Sequence, residues 1–154
     1  MKGIFYGIGI GPGDPEHITL KAVRMMKEVD VIAAPGINVK ETLAYRIAVQ
    51  AVPEIEQKEM LPIDMPMTMD KELLLKAHKR GAETIEKVLA EGKSLGFITL
   101  GDTTVYSTFS YLEKIVKEHG FETVYISGIT SFCAAAASLG IPLTEWQEPL
   151  HVIP

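Results

Sequence analysis

The chain has 154 residues, 47% of them hydrophobic and 23% charged, the profile of one globular domain large enough to bury a core. Twenty acidic against fifteen basic side chains leave a formal net charge of −5, which argues against a nucleic-acid footprint. The single cysteine, Cys133, excludes a disulfide framework and a multi-thiolate metal site.

Lys2 precedes an apolar run broken by glycines, with no small-residue cleavage site, so no export signal is read and a cytoplasmic protein is expected. Gly3 to Ile10 alternates bulky Ile4, Tyr6, Ile8 and Ile10 with small Gly7, Gly9 and Gly11, as a buried strand does when one face admits a close backbone or ligand. A helix is expected to start at Asp14 or Pro15, with Ile18, Ala22, Met25, Met26 and Val29 on its buried side. Val31 to Ala34 reads as a second strand ended by Pro35-Gly36, and a helix follows from about Glu41 to Val52. Two prolines keep Met60 to Met69 from being helical, and its methionines are either adaptable packing or part of an apolar ligand site.

The longest helix is predicted from an Asp70 N-cap to a stop near Gly92. Leu74, Ala77, Gly81, Ile85, Val88 and Leu89 form its buried stripe, and Lys76 and Arg80 share an exposed face. Leu95 to Leu100 is a third strand, Val105 to His119 holds a helix, Val124 to Ser127 is a fourth strand, and Ile129 to Leu139 is a small-residue helix enclosing Cys133 as buried packing. The apolar stretch from Ile129 to Leu143 is too short for a bilayer span of about 20 residues. This order predicts an α/β protein with a doubly wound, mostly parallel sheet flanked by helices.

Ligands on such sheets bind at the carboxyl ends of the strands, and three loops there are unusual. The first, Gly9-Ile10-Gly11-Pro12-Gly13-Asp14-Pro15, lacks the G-x-G-x-x-G spacing of a dinucleotide fingerprint. No acidic residue ends the second strand to hold ribose hydroxyls, and no glycine is followed by the Lys-Ser/Thr pair of a P-loop. The second, Gly101-Asp102-Thr103-Thr104-Val105-Tyr106-Ser107-Thr108, offers a close backbone approach and a row of polar groups, with Asp102 either facing a ligand or capping a helix. The third, Gly128-Ile129-Thr130-Ser131-Phe132, offers amides and two hydroxyls at a helix start. Taken singly, each can also be read as a tight turn or a capped helix. His17, His78, His119 and His151 show no ligand spacing and read as surface or capping residues, and no metal site is expected.

Together and in this order, the three loops, with Leu20-Lys21-Ala22 after the first, resemble those of the tetrapyrrole methylase family. The resemblance covers essentially the whole chain, although Thr103 and Ser127 stand where the family usually has proline. Asp30 to Pro35, Pro66-Met67-Thr68, Thr99 to Asp102, Ser131-Phe132 with Ala134 to Ala137, and Leu139 to Leu143 are most similar to the branch that methylates C-20 of precorrin-2 or cobalt-factor II in cobalamin biosynthesis. Pro35 occupies the place where the uroporphyrinogen methylases carry an aspartate. The resemblance implies S-adenosyl-L-methionine as methyl donor, held by Pro12, Gly101, Asp102, Thr103, Tyr106, Thr130 and Ser131, with no metal and no identifiable catalytic base. It implies a tetrapyrrole polycarboxylate as substrate, for which Lys40, Arg46, Lys76 and Arg80 are candidate counter-charges or plain solvated surface, and it implies a homodimer. It further divides the chain into residues 1–148, a cofactor and substrate domain, and 149–154, the start of a linker to a second domain. The alternatives are another methylase of the family and a non-catalytic binding or dimerisation fragment.

Overall fold

In a computed structural model whose described residues are 2–153, five parallel strands form one sheet. They are β1 (Ile4–Gly9), β2 (Val31–Pro35), β3 (Glu59–Ile63), β4 (Leu95–Thr99) and β5 (Glu122–Ile126), in the spatial order β3-β2-β4-β1-β5. The intervening helices are α1 (Leu20–Glu28), α2 (Leu43–Ala51), α3 (Lys71–Ala90) and α4 (Thr108–Glu118), with α5 (Ser131–Leu139) after β5.

Alternation along the strands sends side chains into two cores, one on each face of the sheet. Ile8, Ile32, Ala34, Ile98 and Ile126 meet the apolar sides of α1 and α2, including Ala22, Met26 and Ala48. Phe5, Val31, Ala33, Leu95 and Phe97 meet those of α3 and α4, including Ala82, Ile85, Leu89, Phe109 and Leu112. With both faces covered, the central strands read as nearly continuous apolar runs.

The α/β class and the parallel sheet match the sequence reading, but the strand count does not. Glu59–Ile63 is a fifth strand, paired with β2 in the register Ala34 to Pro62. Pro62 is compatible with pairing because β3 is an edge strand, where a missing N–H need not leave a gap in the ladder. Of the methionines that follow, Met67 and Met69 are fully exposed, and Met65 packs against the core under α3.

Two helices also begin later than expected. Asp14 accepts from the Glu16 amide and caps only a short 3-10 turn, Pro15–His17, and the Thr19 hydroxyl then starts α1 by accepting from the Ala22 amide. Thr42 does the same for α2 after a 3-10 turn at Val39–Glu41. The Asp70 cap and the buried stripe of α3 are as read from the sequence, except that Leu74 is half-buried and Ala82 joins the stripe.

Cys133 is exposed, contrary to its expected burial. Only Ala134 and Ala136 of α5 are buried, so the helix meets the sheet along one narrow side. Residues 141–153 carry no helix or strand, and Pro154, the last residue of the expected linker, lies outside the described residues. Among the described residues, no helix is long and apolar enough to cross a membrane.

Gly7, at the centre of β1, tests the packing of the second core. A Cβ there would run into the Phe109 ring, which is itself packed against Phe5 at 4.9 Å and Tyr125 at 4.8 Å between centroids. Gly7→Ala is expected to destabilise the fold by about 1–3 kcal/mol through overpacking, read as a lower urea midpoint at unchanged slope.

Candidate functional site

The position of β1 between β4 and β5 makes the loops after these three strands neighbours, although Gly11 and Gly128 are far apart in sequence. The contact is backbone on backbone. Gly11 and Gly101 form an antiparallel bridge in which the Gly101 amide donates to the Gly11 carbonyl at 2.8 Å and the Gly11 amide to the Gly101 carbonyl at 3.2 Å. Gly101 has φ +66°, a conformation that favours glycine. A Cβ on Gly128 would run into the Gly101 carbonyl oxygen, and one on Gly9 would lie 2.7 Å from the Gly128 nitrogen.

Between the loops lies a cavity of about 440 Å³, lined by Pro12, Leu100, Gly101, Asp102, Val105, Tyr106, Thr130, Ser131, Phe132, Val152 and Ile153. Six of the seven residues expected around a cofactor therefore line one space: Pro12, Gly101, Asp102, Tyr106, Thr130 and Ser131. Thr103 is not in its wall. It is completely buried beneath it, and its hydroxyl donates to the Ile126 carbonyl at 3.2 Å. Leu100, Val105 and Phe132 sit inside the motifs but carry no polar signal that would single them out. Val152 and Ile153 arrive from the other end of the chain, and no local pattern marks them.

The polar groups differ in how free they are. Asp102 is 8% exposed, and both of its carboxylate oxygens are engaged. One accepts from the Thr104 amide at 2.8 Å and from the Thr104 hydroxyl, and the other accepts from the Gly128 amide at 2.8 Å. Burial pushes this carboxyl up, but the hydrogen bonds from the Thr104 hydroxyl, the Gly128 amide and the Thr104 amide outweigh it and hold it below the ordinary carboxylate range. Asp102 is thus an anchor between the second and third loops, and it does not cap α4. That cap is Ser107, which accepts from the Phe109 amide at 3.2 Å.

The Thr130 hydroxyl oxygen, by contrast, is buried with no hydrogen-bond partner among the described residues, and as N-cap residue of α5 it makes no side-chain cap. Ser131 and Phe132, the first residues of α5, also lie in this wall, and a helix start favours an acceptor. Tyr106 holds a left-handed backbone, φ +47°, uncommon for a non-glycine residue, and its exposed ring donates from the hydroxyl to the Val152 carbonyl at 3.4 Å. The result is a largely apolar slot with the hydroxyl-bearing residues Thr130 and Ser131 in one wall, which fits a ligand with both apolar and polar parts.

The candidate cations form a second group. Lys76 and Arg80 are exposed on α3 and make no ion pair among the described residues, and Arg80 adjoins Pro62, Ile63 and Asp64 at the carboxyl end of β3. Lys40 and Arg46 are exposed beyond β2. Of the histidines, His119 pairs with Glu86 at 2.8 Å and His78 stacks on Tyr111, whereas His17 packs against Gly11 of the first loop with its Nδ1 buried and unpartnered among the described residues, contrary to its expected place at the surface.

The model of the Tetrapyrrole (Corrin/Porphyrin) Methylases matches residues 5–154. The probable cobalt-precorrin-2 C(20)-methyltransferase of Methanocaldococcus jannaschii is 43% identical over 97% of this chain and 63% of its own length. The cobalt-precorrin-2 C(20)-methyltransferase of Salmonella typhimurium is 34% identical over 99% of this chain and 64% of its own length. The chain therefore spans just under two thirds of these relatives. A solved structure of a putative cobalamin-synthesis-related protein, CobF, from Corynebacterium diphtheriae superposes with a TM-score of 0.76 over 98% of this chain and 63% of that one, at 23% identity, and shows the same fold.

The Asp102 anchor has a signature in acid. Its folded pKa is depressed, so its stabilisation is complete above the ordinary carboxylate value of 3.8 and is lost as pH falls through the lower folded value. Asp102→Asn is therefore expected to be less stable than the parent at about pH 7, with the gap closing towards about pH 3, as read from paired urea unfolding curves.

Proposed function

The chain belongs to the tetrapyrrole methylase family, and from that footing we propose that it serves S-adenosylmethionine-dependent methyl transfer to C-20 of precorrin-2 or cobalt-factor II in cobalamin biosynthesis. The observation that carries the proposal is the likeness of nearly the whole chain to C-20 methyltransferases. The convergence of the three loop motifs on one cavity supports it. In the same reading the protein is cytoplasmic and a homodimer. Residues 1–148 are the cofactor and substrate domain, and 149–154 open the connection to a second domain, in keeping with the greater length of the relatives.

The cavity fits the donor on two counts that belong to this chain. Its apolar wall of Leu100, Val105 and Phe132 suits a nucleoside face, and the Thr130 hydroxyl and α5 amides suit the polar groups of a nucleoside or amino acid. Pro12 and Gly101 would bring backbone close to the ligand, and Tyr106, Thr130 and Ser131 would flank it. The donor supplies a methyl group already activated on a sulfonium. What remains for the protein is to orient the reactants and to exclude water. Asp102 and Tyr106 are the ionisable side chains among the described cavity residues, and the Asp102 oxygens are committed within the protein. The contribution of this domain is accordingly positioning, and no catalytic base is identified among the described cavity residues.

Titration calorimetry with S-adenosylmethionine is expected to give saturable binding, and Thr130→Val to weaken it about tenfold with little change in melting temperature, since its hydroxyl has no protein partner to lose. Incubation of the full-length protein with labelled donor and either precorrin-2 or cobalt-factor II should place label on the macrocycle. Label on uroporphyrinogen III instead would overturn the assignment.

The polycarboxylate substrate must approach a chain of net charge −5, so local cations have to offset the field. Lys76→Glu with Arg80→Glu is expected to weaken tetrapyrrole binding severalfold at low salt, and less at high salt, in a fluorescence titration.

A further inference from the structure

We propose that Asp102 and Thr103 act as positioning residues: one in the cavity wall and one beneath it, they clasp the second loop to the third and set the gap into which the cofactor fits. The inference rests on the cofactor reading above, but the clasp itself is a property of the ligand-free protein.

Two hydrogen bonds cross between the loops in opposite senses. The Asp102 carboxylate accepts from the Gly128 amide at 2.8 Å, and the Thr103 hydroxyl donates to the Ile126 carbonyl at 3.2 Å. Neighbouring residues of one loop thereby grip both sides of the junction where β5 ends and the third loop begins. Neither side chain is free to do otherwise. Thr103 is fully buried and outside the cavity wall, and both Asp102 oxygens are engaged. The second Asp102 oxygen folds the loop onto Thr104, which fixes the carboxylate itself. The junction has little slack, because no Cβ fits at Gly128 between the Gly101 carbonyl and the Gly9 backbone. A shift of Gly128 would move Thr130 and Ser131, two residues on, and with them one wall of the cavity.

The position of Thr103 is what makes the clasp testable. A side chain that cannot reach the ligand should change ligand affinity only through the loops. Thr103→Val keeps the shape and removes the donor, leaving the Ile126 carbonyl unpaired, whereas Thr103→Ser keeps the hydroxyl. Asp102→Asn presents an amide where two N–H groups must be accepted. Two readouts are needed: amide hydrogen exchange of the ligand-free proteins, resolved at Gly101, Thr104 and Gly128, and S-adenosylmethionine binding by calorimetry.

Thr103→Val and Asp102→Asn are each expected to speed exchange at Gly128 about tenfold or more, while central β1 and β4 amides stay protected. Donor affinity should fall by about three- to tenfold in Thr103→Val and recover to within about twofold of the parent in Thr103→Ser. Loss of affinity in Asp102→Asn with unchanged exchange at Thr104 and Gly128 would make Asp102 a direct contact and overturn the clasp. Parent-like affinity and exchange in Thr103→Val would also overturn it, and so would failure of Thr103→Ser to rescue. Absence of donor binding by the parent protein would sink the cofactor reading alone, because the exchange measurement reads the clasp without ligand.

Discussion

The site rests on one close approach of three backbones. β1 runs between β4 and β5, and the chain leaves all three strands through glycine: Gly9 and Gly11, Gly101, and Gly128. Side chains at Gly9 or Gly128 would hold the loops apart by the width of a methyl group or more, and the positive φ of Gly11 and Gly101 favours glycine there. With none present, the Gly11 and Gly101 peptides pair directly and the third loop rests on the Gly101 carbonyl. The cavity is the space left just beyond this contact. Its outline follows from the strand order, since only neighbouring strands deliver their loops to one place.

This construction explains why the slot is poor in free charge. Its polar capacity comes from main-chain groups and hydroxyls, and its one carboxylate is turned into the protein. Buried charge elsewhere in the fold is treated likewise: Glu113, 8% exposed, accepts from the Thr123 hydroxyl at 2.7 Å and the Tyr125 hydroxyl at 3.2 Å. A carboxylate so engaged costs little to bury and keeps its neighbours in place. A ligand that brings its own charge then meets a wall that can orient it without needing to titrate.

Fold and site were legible in the sequence to different degrees. Apolar periodicity revealed the helices and four strands because burial on a two-faced sheet imposes it directly. β3 escaped because Pro62 vetoes a central strand and the sequence cannot say that this strand lies at the edge. The late starts of α1 and α2 turn on Thr19 and Thr42, which cap by geometry that Asp14 and Glu41 imitate in sequence. The loop glycines pointed to the right ends of the right strands, and the motif resemblance to six of the cavity residues. What sequence could not distinguish was the direction in which a polar side chain points. Asp102 and Thr103 are adjacent and similarly polar, yet one borders the cavity and the other lies under it. Cys133 failed for a related reason: an apolar helix suggests burial, but α5 presents only one narrow side to the sheet.

The same topology sets where a large anionic substrate can lie. The cavity sits over β4, β1 and β5, whereas Arg80 stands by the carboxyl end of β3, at the opposite edge of the sheet, with Lys76 one turn before it on α3. Two to four strand spacings separate these places, roughly 10–20 Å. In the proposed reading a macrocycle spans that interval, with its reacting carbon at the cavity and its outer carboxylates towards α3. The acidic excess of the chain does not forbid this. Exposed charges farther away than about 10 Å are largely screened at 0.1 M salt, so the field at β3 is set by the nearest side chains. Asp64 is one of them, which makes the balance between it and the cations on α3 the local determinant of anion affinity. At this site the balance between Asp64 and the exposed cations of α3, with Arg80 nearest, therefore weighs more than the net charge of the whole chain.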